Sequence, residues 1–115
     1  NGSGGHYVGY HFATVNGVSK VGSYTGDGSA GKVIDCGFSN GARFVLIKEL
    51  ASNHNWYVWD TLRGIVSGND PYFWLNTNDA ENDQADIIDP HSSGFAVNYA
   101  LTNANGQTYI FYAIA

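Results

Sequence analysis

The chain has 115 residues, a net charge of −5 and only 13% charged residues, a length that gives room for one domain with a modest core. Its five Lys and Arg residues are scattered and outnumbered by ten Asp and Glu residues, so the nucleic-acid binders are excluded as a class. No apolar run approaches the length of a membrane span, so membrane insertion is not expected, and the single Cys36 cannot form an intrachain disulfide.

Period-two alternation of polar and apolar residues predicts strands throughout the chain, and no segment sustains a helical spacing. The predicted strands, in chain order, are His6–Ala13, Val18–Tyr24, Lys32–Cys36, Arg43–Glu49, Trp56–Thr61, Tyr72–Asn76, Ala85–Ile88, Gly94–Tyr99 and Thr108–Ile114. Turn sequences rich in Gly and Asn separate them. This spacing predicts an all-β fold, a two-sheet antiparallel β-sandwich that is jelly-roll-like (concanavalin-like).

Two segments depart from simple alternation. Residues 44–47 are apolar at four successive positions, which predicts a central strand that is covered on both faces. Residues 77–92 are polar and acidic, and we expect a long loop around a short strand there.

The first thirteen residues align without a gap on residues 103–115, with five identical positions. The simplest interpretation is one module over residues 1–115, in which 1–13 is the terminal strand of a preceding module or a strand that joins subunits. Exposed sheet edges accept strands from other chains, so Tyr7, Tyr10 and Phe12 are the predicted assembly residues. The alternative is that two Tyr-rich strands of one sandwich simply look alike.

Half of the acidic residues lie between positions 79 and 89. Asp79, Glu81 and Asp83 alternate as calcium ligands could, but no Gly lies among them to form the sharp turn of a calcium loop. We therefore favour a solvated acidic loop over weak calcium binding, and expect no metal or cofactor. His6 and His11 point to opposite faces of the first predicted strand, so they cannot share a zinc ion.

The candidate ligand-binding residues are Trp56, Trp59, Tyr72 and Trp74. Sugars expose apolar C–H faces that dock on aromatic rings. Trp56 and Trp59 should point to opposite faces of their strand, whereas Tyr72 and Trp74 should share a face. We expect most of these rings to fill the core, with exposure at a glycan or subunit interface as the alternative.

No catalytic residues are expected. Asp35, Glu49 and Asp60 lie on or beside separate strands, and nothing in their spacing defines a glycosidase pair. A Ser-His-Asp triad is equally unconstrained by the sequence. Asp60 and Arg63 are predicted to form an ion pair that stabilises a turn.

Five segments resemble a lectin-like β-sandwich module of the tail fibres and related appendage proteins of tailed bacteriophages. The matching segments are Ser19–Gly26, Phe44–Lys48, Trp56–Gly64, Ser93–Phe95 and Tyr109–Ala115. The Trp-Tyr-Val-Trp-Asp-x-x-Arg-Gly sequence is the most specific part. The family usually has Asn before the Gly-Phe pair, where this chain has Ser93. The resemblance implies a host-surface-binding or structural role, without a known ligand or catalytic set.

Together these features predict a structural and adhesive module of a phage tail fibre or similar extracellular filament, located outside the cell or in the virion tail. Its expected partners are other copies of itself and cell-surface polysaccharide. The alternatives are a self-polymerising filament subunit without a ligand and a carbohydrate-active enzyme.

Overall fold

The computed structural model describes residues 4–51 and 53–115. Its strands and one short helix are, in chain order, β1 (Ser19–Thr25), β2 (Lys32–Asp35), β3 (Phe44–Glu49), β4 (Tyr57–Asp60), β5 (Phe73–Trp74), β6 (Ile88–His91), β7 (Gly94–Val97), α1 (Ala100–Asn103) and β8 (Thr108–Ile114).

The strands form two antiparallel sheets. The first has the order β1-β8-β3-β4-β5, and the second has the order β2-β7-β6. The closing strand β8 lies between β1 and β3, while the consecutive strands β1 and β2 lie in different sheets. The predicted two-sheet antiparallel β-sandwich is confirmed, and these long-range pairings are of the jelly-roll kind.

The core lies between the two sheets. On β8 the residues Tyr109, Phe111 and Ala113 are buried, and they alternate with half-buried residues that point the other way. All four residues of β7 are buried, and the Phe95 ring meets the Phe111 ring edge-on at 5.6 Å. Because burial of such apolar surface drives folding, this contact between β7 and β8 holds the sheets together.

Gly94 permits a close approach between strands of the second sheet. A Cβ atom at this position would overlap the carbonyl oxygen of Ile34 and would press against Cys36. Only glycine fits such a backbone contact. The Gly of the Ser93-Gly94-Phe95 segment therefore has a packing reason.

The central strand is covered on both faces, as predicted for residues 44–47. Val45 and Ile47 are fully buried in the core, and Leu46 on the opposite face is only 9% exposed. Phe44 is half-buried at the rim of the sheet, where its ring meets Tyr112 at 6.1 Å. Full cover therefore reaches three of the four residues.

The predicted strand His6–Ala13 is wrong, since residues 5–14 have no regular secondary structure. A strand needs a neighbour that accepts its backbone hydrogen bonds. The free edge of β1 is already occupied there, because Val15 and Ser19 exchange backbone hydrogen bonds and Thr14 bonds to Val21. The other copy of the repeat, Thr108–Ile114, is a strand as predicted. Residues 1–3 lie outside the described residues.

Smaller differences have local causes. The strand predicted at 85–88 instead runs from Ile88 to His91, because the backbone before it bonds to Asp70: the Ala85 carbonyl accepts from the Asp70 N–H, and the Ile87 N–H donates to the Asp70 carboxylate. The strand predicted at 72–76 is reduced to two residues. The helix α1 has four residues, which is too short to show a helical period in the sequence.

Candidate binding surface

One face of the five-stranded sheet points away from the second sheet, and we call it the outer face. Strand register aligns Val21, Tyr112, Leu46, Val58 and Phe73 across it, from β1 to β5. An antiparallel sheet with a solvated face would carry polar residues here. The side chains of this row are apolar apart from the Tyr112 hydroxyl. The outer face is therefore typical of a surface that another segment or another chain covers.

We call residues 4–14 the arm, and its last part, from Tyr10 to Thr14, lies across part of this face. The Thr14 hydroxyl accepts a hydrogen bond from the Val21 N–H (3.1 Å) and donates to the Val21 carbonyl (3.3 Å). Beyond it, the Phe12 ring stacks on Tyr112 with 4.3 Å between centroids. The arm remains largely open to solvent, since Tyr10 is 82% exposed and Phe12 is 53% exposed.

A groove, the outer groove, opens between the arm and the sheet. It consists of two adjoining depressions of about 470 and 660 Å³. Both are lined by Tyr10, Phe12, Leu46 and Trp56. Volumes of this size are usual for small-molecule and saccharide sites.

The polar rim of the outer groove is made of asparagine. The backbone N–H of Trp56 donates to Asn76 Oδ1 at 2.9 Å, and Asn76 Nδ2 donates to Asn55 Oδ1 at 2.9 Å. Asn76 also lines the larger depression. An aromatic ring beside fixed amides is the combination that holds a sugar ring by its C–H face and its hydroxyls.

The structure separates the four aromatic residues that were candidates for ligand binding. Trp59 is fully buried and Tyr72 is 4% exposed, so both rings belong to the core and present no surface to a ligand. Trp74 is half-buried and meets Tyr72 edge-on at 5.5 Å on the core side. Of the four, Trp56 alone lies in the outer groove.

Two of the three predicted assembly residues lie on the same surface. Tyr10 and Phe12 line the outer groove beside Trp56, and Tyr7 is 70% exposed farther along the arm. Sequence reasoning placed Trp56 and the arm aromatics in different sites. The fold brings them together because the turn at residues 15–18 folds the arm back over β1.

The chain matches, over residues 1–115, the model of a family described as "Domain of unknown function (DUF7483)". The chain belongs to this family. The match spans both the sandwich and the arm. No curated protein and no solved structure is significantly similar to the chain.

Arg63 organises the end of the outer face beside β5. Its guanidinium pairs with Asp60, as predicted, and Arg63 Nε lies 2.7 Å from Glu81 Oε2. The guanidinium carbon also lies 4.8 Å from the centroid of the Phe73 ring. Glu81 is thereby bound into an ion pair and ties the acidic loop to the sheet.

The other acids of that segment differ in exposure, since Asp89 is half-buried and accepts a hydrogen bond from Asn98 Nδ2 at 2.7 Å. Asp79 and Asp83 are exposed, and Asp83 accepts a hydrogen bond from its neighbour Gln84. Within residues 4–51 and 53–115, no three His, Cys, Asp or Glu side chains are grouped so as to hold a metal ion. In the same part of the chain, no helix has the length and apolar character needed to cross a membrane.

The carboxylates considered for hydrolysis each have a local partner. Glu49 is 6% exposed, and its Oε2 lies 2.7 Å from His54 Nδ1. Asp60 bonds to Arg63, and Asp35 accepts from the Gly37 N–H at 2.8 Å.

Residues 37–41 read Gly-Phe-Ser-Asn-Gly, which matches the Gly-x-Ser-x-Gly motif of a nucleophile elbow. A nucleophile elbow places this sequence on a sharp turn between a strand and a helix. Here it follows β2 and is followed by the strand β3. Ser39 is exposed, but the segment lacks the turn from strand to helix that would activate its hydroxyl.

Sequence reasoning missed the buried carboxylate of Asp70, which is 0% exposed. It accepts hydrogen bonds from the backbone N–H groups of Val66 (3.0 Å), Ile87 (3.3 Å) and Ile88 (3.2 Å). Burial raises the pKa of Asp70 to about 6, although these hydrogen bonds act in the opposite direction. The only sequence signal was its place in a turn before Pro71.

Asn103 at the end of α1 is a second missed residue, 1% exposed. Its Oδ1 accepts from the Asp27 N–H at 3.0 Å, and its Nδ2 donates to Asp27 Oδ1 at 3.0 Å and to the Ser29 carbonyl at 2.6 Å. Hydrogen bonds from Ser29, then from Lys32 and Asn103, hold the pKa of Asp27 well below its usual range. Asn103 thus fixes the loop between β1 and β2.

Proposed function

We propose that the chain is a structural and adhesive module of a phage tail fibre or similar extracellular filament, and that it associates with further copies of itself. The supporting observation is the apolar outer face with its exposed aromatic arm. Large exposed apolar patches on soluble domains mark interaction surfaces. The resemblance of the Trp56–Gly64 segment to tail-fibre modules supports the same setting.

Glycan binding is the adhesive part of the proposal, and Trp56 is the residue to which we assign it. Trp56 is half-buried, lines the outer groove and is flanked by Asn76. A half-exposed indole beside amides offers a stacking surface and hydroxyl partners to a sugar ring. A filament subunit without a ligand would use the same groove only for protein contacts.

Removal of residues 1–13 tests self-association. We expect a folded domain that associates less than the full chain, measured by sedimentation over a range of concentrations. The matched control is a full-length chain with Asp79→Asn and Asp83→Asn, which alters the exposed acidic loop. Association of the truncated chain equal to that of the full chain, or its failure to fold, contradicts the proposal.

A glycan array tests adhesion. We expect the full chain to bind at least one polysaccharide class, and Trp56→Ala to lose that binding while its circular dichroism spectrum is retained. Trp74→Phe is the control, because that ring packs on the core side. An array without binding favours the ligand-free filament subunit, and release of new reducing ends from a bound glycan would reveal an enzyme.

A further inference from the structure

The edges of the two sheets argue against association of copies by strand addition. On β6 the Ile88 N–H is taken by the Asp70 carboxylate at 3.2 Å, and Pro90 has no N–H to offer. On β1 the outward backbone groups of Ser19 bond to Val15, and those of Val21 bond to Thr14. Both edges are closed to an added strand over these positions.

The remaining two edges are short. β5 has two residues, and β2 has four, with Lys32 and Asp35 at its ends. Short length and charged residues are devices that prevent edge-to-edge pairing. Association by strand addition is therefore disfavoured at β2, β5 and β6, and along β1 up to Val21.

The outer face, in contrast, offers enough apolar surface for a stable pair. The exposed apolar residues of this face and of the arm together are Val8 (81%), Tyr10 (82%), Phe12 (53%), Val21 (41%) and Leu75 (61%). Taking about 200 Å² for a fully exposed aromatic residue and somewhat less for an aliphatic one, they present about 500 Å² of apolar area. A standard interface buries about 800 Å² per partner, of which roughly 60% is apolar.

Charge favours the same surface. The chain carries a net charge of −5, so two copies repel each other over most approaches. Every residue that lines the outer groove is uncharged. Two copies can thus bring their outer grooves together without placing acids there, and the acids at the end of the outer face, Asp60 and Glu81, are paired with Arg63.

Within residues 8–12 of the arm, Phe12 stacks on the sheet through its ring. Among the described residues, the backbone of residues 8–12 makes no hydrogen bond to another part of the chain. Val8, Tyr10 and Phe12 alternate, so one extended arm can direct all three side chains to one side. The outer groove between arm and sheet is open to receive such a row of side chains.

We infer that two copies pack outer face to outer face around a two-fold axis, and that the arm of each copy lies in the outer groove of the other. This inference rests on the proposed self-association and specifies its surface. A two-fold pair is self-complementary, so the same arm and groove serve both copies.

A mixed-label NMR experiment tests the pairing. A spin label is attached to His6→Cys in an unlabelled chain, which is mixed with a wild-type ¹⁵N-labelled chain. We expect broadening of the Trp56 indole signal, which can arise only between copies. Cys36 can stay, because its thiol is 6% exposed, and wild-type chain treated with the reagent verifies that it does not react.

A label at Asp35→Cys on the β2 edge is the matched control, and sedimentation of the same mixtures gives the assembly state. Association in which Trp56 stays sharp with the His6→Cys label overturns the face-to-face pair but leaves self-association intact. Broadening confined to β2 with the Asp35→Cys label shows edge pairing and also overturns it. A chain that stays monomeric at millimolar concentration overturns both proposals.

Discussion

The Asp70 carboxylate lies fully buried between the loop that precedes β5 and the chain that enters β6. Both of its oxygens accept backbone hydrogen bonds. The carboxylate thus satisfies N–H groups that have no neighbouring strand to bond to. Buried carboxylates of this kind are retained when several N–H groups satisfy them. Here one residue closes a sheet edge and anchors two loops.

Asp70 should make stability depend on pH. Its folded pKa of about 6 lies above the ordinary value of 3.8, so the folded state binds the proton more tightly than the unfolded state. Its contribution to the free energy of unfolding is therefore greatest below about pH 4 and decreases, by about 1–3 kcal/mol, as the pH rises through 6.

The measurement is urea unfolding of the wild type and of Asp70→Asn between pH 4 and pH 8. We expect the variant to be less stable at pH 4, because its amide nitrogen faces a backbone N–H, and to lack this part of the pH dependence. Asp83→Asn, in the exposed loop, is the control and should follow the wild type. Identical pH profiles for wild type and Asp70→Asn would refute the assignment.

At the scale of elements, β3 shows why a strand with an apolar run needs cover on two sides. Val45 and Ile47 face the core, while Leu46 faces the arm and the outer groove. Leu46→Ala should destabilise the fold by about 2–5 kcal/mol, towards the lower value because the space it leaves adjoins an open groove.

Chemical denaturation measures this effect, and Val21→Ala is the matched control on the same face. Val21 is 41% exposed, so its truncation should cost much less. Equal losses at Leu46 and Val21 would mean that the arm does not cover β3 in solution.

The arm is an element whose position depends on few contacts. Thr14→Val keeps the shape of the side chain but removes both hydrogen bonds to Val21. We expect a loss of about 0.5–1.5 kcal/mol in the free energy of unfolding, together with faster proteolysis within residues 5–13. Thr25→Val, an exposed change on β1, the strand to which Thr14 bonds, is the control. Unchanged proteolysis of the arm in Thr14→Val would show that other contacts hold it.

At the scale of the whole molecule, stability and association should be linked. A pair that forms only between folded chains stabilises the folded state by mass action. Tm should therefore rise with protein concentration for the full chain and stay constant after removal of residues 1–13. Calorimetry at several concentrations measures this. A Tm of the full chain that is independent of concentration would argue against a folded-state pair.

The sequence by itself determined the fold class and most strands. Alternation along residues 108–114 and the apolar run at 44–47 are local patterns, and each predicted its strand, because side chains on a strand alternate between two faces whatever the partner. The ion pair of Asp60 and Arg63 was also predictable, because three residues of one turn suffice to form it.

Only the tertiary structure decided which of these patterns pair and which rings are exposed. Residues 6–13 resemble residues 108–114 in sequence but form no strand. The edge of β1 beside them is already hydrogen-bonded to Thr14 and Val15. The spacing of Trp56 and Trp59 predicted opposite faces but not which ring is buried, and in the fold Trp59 points into the core and Trp56 into the outer groove. Asp70 and Asn103 bind backbone groups far away in the chain. The local sequence does not predict such partners, because pairing and burial depend on which segments the fold brings together.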